Sequence, residues 1–211
     1  MHHTAPITLF SRPMPKQERA QRRAVEIVVA AAQVLAQQPH PRALSANLVA
    51  DQAGVPVSSI YRYFPTMRHL LDELYLQLAE QIRSQLVALV DRPGPWRERL
   101  LGVADMLMGY LHDHPYYRPL MTLIAIDRGP TRVEHDFNAE IVAFLAARWA
   151  AGADGFHGGD AQAVAATTVQ LTLALEELVA SQPTPEIAAA HAQEMKRALN
   201  CYLSGYLHDM P

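Results

Sequence analysis

Apolar residues recur every three or four positions along most of the chain, the spacing that gathers them on one face of an α-helix. Val25, Val28, Val29, Ala32 and Leu35 mark a first helix from Lys16 to about Gln37, which "QPHPR" then stops. Ser45 is placed to cap a second helix running through Leu48, Val49 and Ala50 to Ala53, and Gly54 supplies a turn. A short third helix starts near Pro56 and ends by Phe64, because Pro65 disfavours helical geometry in the residue before it. Thr66 can cap a long fourth helix whose stripe of Leu70, Leu71, Leu74, Leu78, Ile82, Leu86 and Leu89 runs to the break "DRPGP". Five more helices are expected, at about 95–113, 116–127, 132–151, 160–181 and 184–208, separated by "HDHPYY", "DRGPT", "GADGFHGGD" and "SQPTP". No strand or hairpin signal and no repeat of fixed period appears. The expected fold is all-α, about nine helices, preceded by a mobile arm over residues 1–15 where Pro6, Pro13 and Pro15 interrupt any period.

Composition narrows the class. With 50% hydrophobic and 18% charged residues in 211, the chain is packed and not disordered. Cys201, the one cysteine, cannot form an internal disulfide, and the N-terminus lacks the basic start and apolar run of a signal peptide, so a cytoplasmic location is expected. No window reaches the roughly 18 unbroken apolar residues of a spanning helix, and no membrane partner is expected. The net charge of -3 is unevenly spread. Residues 1–65 hold seven Lys/Arg against three acids, +4, and the remainder holds eleven against eighteen, -7. Such a basic segment is either a solvated face or a surface for a polyanion, and charge alone leaves both open.

The third helix sharpens that choice. Two helices joined by a three- or four-residue turn containing Gly, the second of them short, form a helix-turn-helix candidate. A single helix fits the major groove of duplex DNA, so a short one braced by two others can present its first residues to base edges. Val55, Ile60 and Phe64 fall on inward spacings against Val49, Ala50 and Leu70, leaving Val57, Ser58, Ser59, Tyr61 and Arg62 for solvent or a partner. Serine hydroxyls are versatile toward bases, and a tyrosine hydroxyl on a rigid ring suits a phosphate oxygen. Tyr61, Tyr63 and Phe64 can equally be read as the core of a helical corner.

The run "LSANLVADQAGVPVSSIYRYFPTMRHLL", residues 44–71, resembles the DNA-binding segment of the tetracycline-repressor (TetR) family of bacterial transcription regulators. The likeness rests on Ser45, Val49, Ala50, Ala53, Gly54, Val55, Ile60, Tyr61, Tyr63, Phe64, Leu70 and Leu71, and covers about residues 20–75. It implies a homodimer with a helix-turn-helix head over 16–65 and a helical effector-binding and dimerisation body over 66–211. The function it implies is a DNA-binding regulator, a repressor, released from a pseudo-palindromic operator by a small-molecule effector, with no enzymatic activity and no cofactor. Carried over residue by residue, it makes Pro56, Val57, Ser58, Ser59 and Tyr61 groove-facing and Arg62 and Tyr63 backbone contacts, with Asn47 within reach. Ser45 and Thr66 sit at helix N-termini, where N–H groups can meet phosphate oxygens. This chain departs from the family at Pro56, usually Ser, at Met67, where a phosphate-binding Lys is common, and at Arg68, often Glu. Those departures shift expected phosphate binding toward Arg12, Lys16, Arg19, Arg22 and Arg23.

Farther along, Met106, Tyr110, His114, Tyr117, Phe137, Phe144 and Trp149 are candidates to line an apolar effector pocket, or are plain core. Leu171, Leu175, Leu178, Leu199, Tyr202 and Tyr206 lie on long apolar stripes, joined by Val179, Met195 and Leu203, that can pair two copies or pack within one. "HDHPYYR" offers His112, Asp113 and His114 but no complementary ligand, and no metal site is expected. His2 and His3 read as incidental. "GADGFHGGD" lacks the Lys-Ser/Thr of a phosphate loop and reads as a flexible connector in which Asp160 caps the next helix. Cys201 reads as a buried thiol. Two rival functions remain at this level: a small-molecule-binding helical dimer without DNA binding, and a helical enzyme using His112, His114, Glu134, His135 or Asp136, whose scatter gives no positioned pair.

Overall fold

The stripes become buried faces. The computed structural model describes residues 18–37, 44–126 and 132–208. The expected arm with Arg12, then Lys16, Arg42, "QPHPR" and "DRGPT", lie outside the described residues, as do the side chains of Arg19, Glu134 and His135. Among the described residues the chain forms α1 (Glu18–Gln37), α2 (Ala46–Ala53), α3 (Val57–Tyr63), α4 (Met67–Val90), α5 (Trp96–Asp113), α6 (Tyr117–Ile126), α7 (Arg132–Ala150), a 3-10 turn (Ala153–Gly155), α8 (Ala161–Ala180) and α9 (Pro185–Leu203), with no strand.

The caps that bound these helices match the residue chemistry. Ser45 Oγ accepts from the Leu48 N–H at 3.4 Å, Thr66 Oγ1 from His69 N–H at 3.3 Å, and Asp160 Oδ1 from Ala163 N–H at 2.7 Å. Gly54 closes α2 at φ 63, a left-handed backbone that costs glycine little, and its N–H reaches the carbonyls of Ala50 and Asp51. Thr184 caps α9 through Ile187 N–H, with Pro185 in the first turn.

The described residues divide into two compact units. The first comprises those up to Gln81 and those between His114 and Glu134. Within it α1 packs on α2 and α6, and α2 on α3, with Ile27, Leu35, Val49, Ile60, Leu70, Leu74, Leu120 and Ile124 among its buried side chains. The second comprises Ile82–Asp113 and those from His135 on. There α5 packs on α8 and α9, and α8 on α9. The division thus falls within α4, beyond the 65/66 boundary implied by resemblance, and it groups α6 with α1. By length and composition α8 alone among the described helices could cross a membrane, yet Val164, Ala165, Thr168, Val169, Glu176 and Val179 are buried within the second unit.

Three local expectations change. α9 stops at Leu203, short of 208, because the chain beyond it turns and gives its backbone to the loop before α8: His157 N–H donates to Tyr206 O at 2.8 Å and His208 N–H to Asp154 O at 3.1 Å. That loop, expected as a flexible connector, is tied by these bonds and by Phe156, whose ring stacks on Trp149 at 5.9 Å and lies against Tyr206 at 6.4 Å. Cys201, expected buried, is exposed, since it sits two positions from both Leu199 and Leu203 and so off the buried face of α9.

Candidate nucleic-acid interface

With seven residues, α3 is too short to be stable alone and takes its orientation from packing. Ile60 is fully buried and Phe64 nearly so, in the same unit as the buried Val49, Ala50 and Leu70 and on a helix that packs against α2. That anchoring turns Ser58, Tyr61 and Arg62 outward, with Tyr61 48% exposed, and leaves Val57, Ser59 and Tyr63 half-buried. An exposed tyrosine of that size, held on a helix by buried neighbours, is a rigid donor facing solvent. Pro56 is exposed at the N-cap with φ -62 and ψ 146 and makes no side-chain cap bond; its carbonyl accepts from Ser59 N–H at 2.8 Å. On adjoining elements, Asn47 and Thr66 are exposed and Ser45 is half-buried. All ten residues proposed from the sequence for DNA therefore lie on α2, α3 and their flanks, in one unit.

Charge around this face is modest. Arg62 stands in the last turn of α3, where a cation suits the helix dipole. Arg22 and Arg23 are exposed on α1, the latter paired with Glu26 at 2.9 Å, an exposed ion pair of little energetic weight. Met67 is half-buried, and Arg68 directs its Nε–H to Asp72 Oδ1 at 3.1 Å. Thr66 Oγ1 also meets His69 Nδ1 at 3.0 Å.

The candidate effector residues fall in both units. Met106, Phe137 and Phe144 pack around Leu86, Ile141 and Val169. Tyr110 is buried, its hydroxyl accepts from Gln85 Nε2 at 2.9 Å, and burial pushes its pKa above the ordinary phenol value. Trp149 belongs to a different cluster with Trp96, Leu203 and Leu207. His114 and Tyr117 fall in the first unit, where the His114 ring meets Tyr116 edge-on at 5.5 Å.

Of the residues considered for pairing two copies, Leu178 is 43% exposed on α8, while Leu171 and Leu175 are half-buried. Leu199 is 2% exposed and packs with Ala104, Val179 and Met195, so it supports α9 from inside its own chain and is no surface residue. Tyr202 and Tyr206 lean on each other, 5.4 Å between ring centroids, over the Trp96–Trp149 cluster.

Sequence reasoning missed Asp154. Its carboxylate accepts from Arg99, from Arg148 Nε at 3.0 Å and from Trp149 Nε1 at 3.3 Å, while Arg148 also pairs with Asp91 at 2.7 Å. The hydrogen bond to Asp154 chiefly raises the Arg148 pKa. No local signal links Asp154 to an arginine 55 positions away. For the enzymatic rival, His112 and Asp136 are exposed, and among the described residues no three His, Cys, Asp or Glu side chains converge as metal ligands.

Residues 27–74 match the family described as bacterial regulatory proteins, tetR family, and residues 95–203 match the tetracyclin repressor-like C-terminal domain. No curated protein sequence matches the chain. Similar solved structures include a TetR-family transcriptional regulator from Pectobacterium atrosepticum, 15% identical, covering 93% of this chain and 100% of that one at a TM-score of 0.75. A transcriptional regulator from Rhodococcus sp. Rha1 is 16% identical over 89% of this chain and 99% of its own, TM-score 0.71. The multidrug binding protein EbrR, complexed with imidazole, is 22% identical over 83% and 93%, TM-score 0.63. At these identities the three structures bear on the fold, and the two family matches, together spanning most of the chain, bear on descent. The chain belongs to the TetR family and is a DNA-binding transcriptional regulator with a helix-turn-helix head.

Proposed function

We propose that the protein is a homodimeric repressor that binds a pseudo-palindromic operator and leaves it when a small molecule occupies the second unit. The carrying observation is α3: Ile60 and Phe64 are buried while Tyr61, Ser58 and Arg62 stand outward. In this reading Pro56, Val57, Ser58, Ser59 and Tyr61 face base edges, and Arg62, Tyr63, Asn47, Ser45 and Thr66 meet the phosphate backbone. The apolar cluster around Met106, Phe137 and Phe144, with the hydroxyl of Tyr110 in the same unit, is the effector site we favour. The multidrug binding described for EbrR supports a ligand-binding role for such a body. The outer face of α8, where Ala163, Thr167, Gln170, Ala174 and Leu178 are exposed at helical spacing, is the proposed meeting surface of two copies. Effector binding then shifts the dimer toward a form whose heads no longer match successive major grooves.

Selection of bound sequences from a random duplex pool tests this, because a palindromic motif reports specificity and dimer symmetry together. Removing the Tyr61 and Tyr63 hydroxyls together, as Tyr61→Phe and Tyr63→Phe, should weaken operator binding about tenfold or more, at about 1 kcal/mol per lost hydrogen bond, with unchanged helicity. Affinity should also fall steeply with salt. Recovery of no motif, or salt-independent binding, would instead favour a helical dimer that binds small molecules alone.

A further inference from the structure

Two histidines 51 positions apart in sequence meet where the loop entering α8 passes the chain leaving α9. Their Nδ1 atoms are 3.3 Å apart, and their ring centroids 5.2 Å apart with planes at 60°. The meeting is built into the backbone: His157 N–H is held by Tyr206 O and His208 N–H by Asp154 O, at 2.8 and 3.1 Å. Gly155 makes room for it, since a Cβ there would sit 2.6 Å from the His208 ring, and its φ of 59 suits glycine. The carboxylate of Asp154 anchors the same loop through Arg99 and Arg148. Both imidazoles nevertheless remain exposed to solvent.

The geometry points to a divalent transition-metal site, of the kind zinc takes, with His157 Nδ1 and His208 Nδ1 as its two protein nitrogens. Two nitrogens each about 2.1 Å from a tetrahedral zinc ion stand about 3.4 Å apart, close to the separation found here. A direct N–H···N bond accounts for the pair less well. At 3.3 Å the contact is at the long end of hydrogen-bond distances. The centroids are also closer than two rings pointing at each other in line would be at that nitrogen separation, so the ring axes bend off the line, as they do when two imidazoles share one ion. The Gly155 carbonyl oxygen lies 3.1 Å from His157 Nδ1 and accepts a hydrogen bond from it when that nitrogen carries the proton, so metal binding requires the other tautomer. Asp154 contributes nothing, because its oxygens are taken by Arg99, Arg148 and Trp149. Water completes the shell from the solvent side, which makes the site open and weaker than a four-ligand structural site. Imidazole donors select zinc, copper or nickel over magnesium or calcium. A bound ion staples the entry of α8 to the exit of α9 and thereby stabilises the fold.

Calorimetric titration of the 211-residue chain, first stripped with chelator and then given zinc chloride, reads the site directly. The chain holds ten histidines, so location rests on the variants. The wild type should bind one zinc ion at its tightest site, and His157→Gln and His208→Gln should each weaken that site by more than about tenfold with unchanged circular dichroism. Zinc should raise the melting temperature of the wild type and leave that of the His157→Gln/His208→Gln double variant unmoved. A wild type that binds no zinc, or two single variants that bind it as tightly as the wild type does, would overturn the assignment. DNA binding plays no part in this readout, so it stands or falls apart from the operator.

Discussion

Asp154 combines two things that rarely coincide in one residue: a left-handed backbone, φ 59, and a carboxylate shared by two arginines and an indole. A non-glycine residue in that conformation is strained, although Asp and Asn tolerate it better than most. Three substitutions separate the two roles. Asp154→Ala leaves Arg99 and Arg148 without their shared acceptor and keeps the backbone cost, so a loss of about 3 kcal/mol is expected. Asp154→Gly should lose about 1 kcal/mol less than Asp154→Ala, because glycine relieves the backbone. Asp154→Asn keeps an acceptor oxygen and should lose least; urea midpoints give the ranking, and an alanine variant as stable as wild type would deny the carboxylate its role. Tyr110 offers a pH test. Burial disfavours its phenolate, so the folded chain holds that proton to higher pH than the unfolded chain does. The resulting stability is complete below the unfolded value of about 10 and declines as pH rises through it. Tyr110→Phe should therefore lose less stability than wild type between about pH 9 and pH 11, after a deficit near neutrality of about 1 kcal/mol from the lost bond with Gln85. Neither residue was legible in the sequence for what it does. Asp154 looked like one acid in a glycine-rich loop, because its partners Arg99 and Arg148 come from other helices, and His157 and His208 became neighbours only through the turn after α9.

At the scale of elements, α3 is the weakest capped of the α-helices with a described cap. Pro56 presets the backbone at the N-cap but has no side-chain acceptor for the free N–H groups of the first turn. Comparing Pro56→Ser with Pro56→Ala isolates the missing cap, since both variants release the same proline constraint; serine should exceed alanine by about 1 kcal/mol in thermal or urea unfolding. Equal stability would mean that packing of Ile60 and Phe64 alone fixes α3. The helices themselves were legible because burial follows period: Leu70, Leu74, Leu78, Ile82 and Leu86 on α4 are all buried as the stripe predicts. The head was legible as well, since Gly54, Ile60 and Phe64 act through neighbours close in sequence. Periodicity failed on α9, where Leu199 and Cys201 share an apolar stretch but lie on different faces, and where the chain after Leu203 trades helical bonds for bonds to a loop. A helix end decided by a distant backbone leaves no local mark.

For the whole molecule, the regulation proposed above depends on how two copies meet, and the surface gives a place to probe. Leu178 on α8 and Ile187 at the start of α9 are large apolar side chains exposed at 43% and 42%. Leu178→Glu places a charge on the proposed meeting surface without touching the internal cluster of Val179, Met195 and Leu199. Light scattering should then report a monomer at concentrations where wild type is a dimer, with helicity intact and operator affinity reduced to that of a single half-site. A dimeric Leu178→Glu protein would move the interface elsewhere. Cys201 gives this question an observer of its own. The chain has one thiol, it is exposed, and it sits on α9, which packs on the helix that carries the proposed meeting surface. A maleimide dye or spin label will therefore attach once per chain with no residue replaced. Its labelling rate at increasing protein concentration follows association, and the distance between the two labels of a dimer, taken with operator and then with effector, becomes a ruler for the regulatory motion.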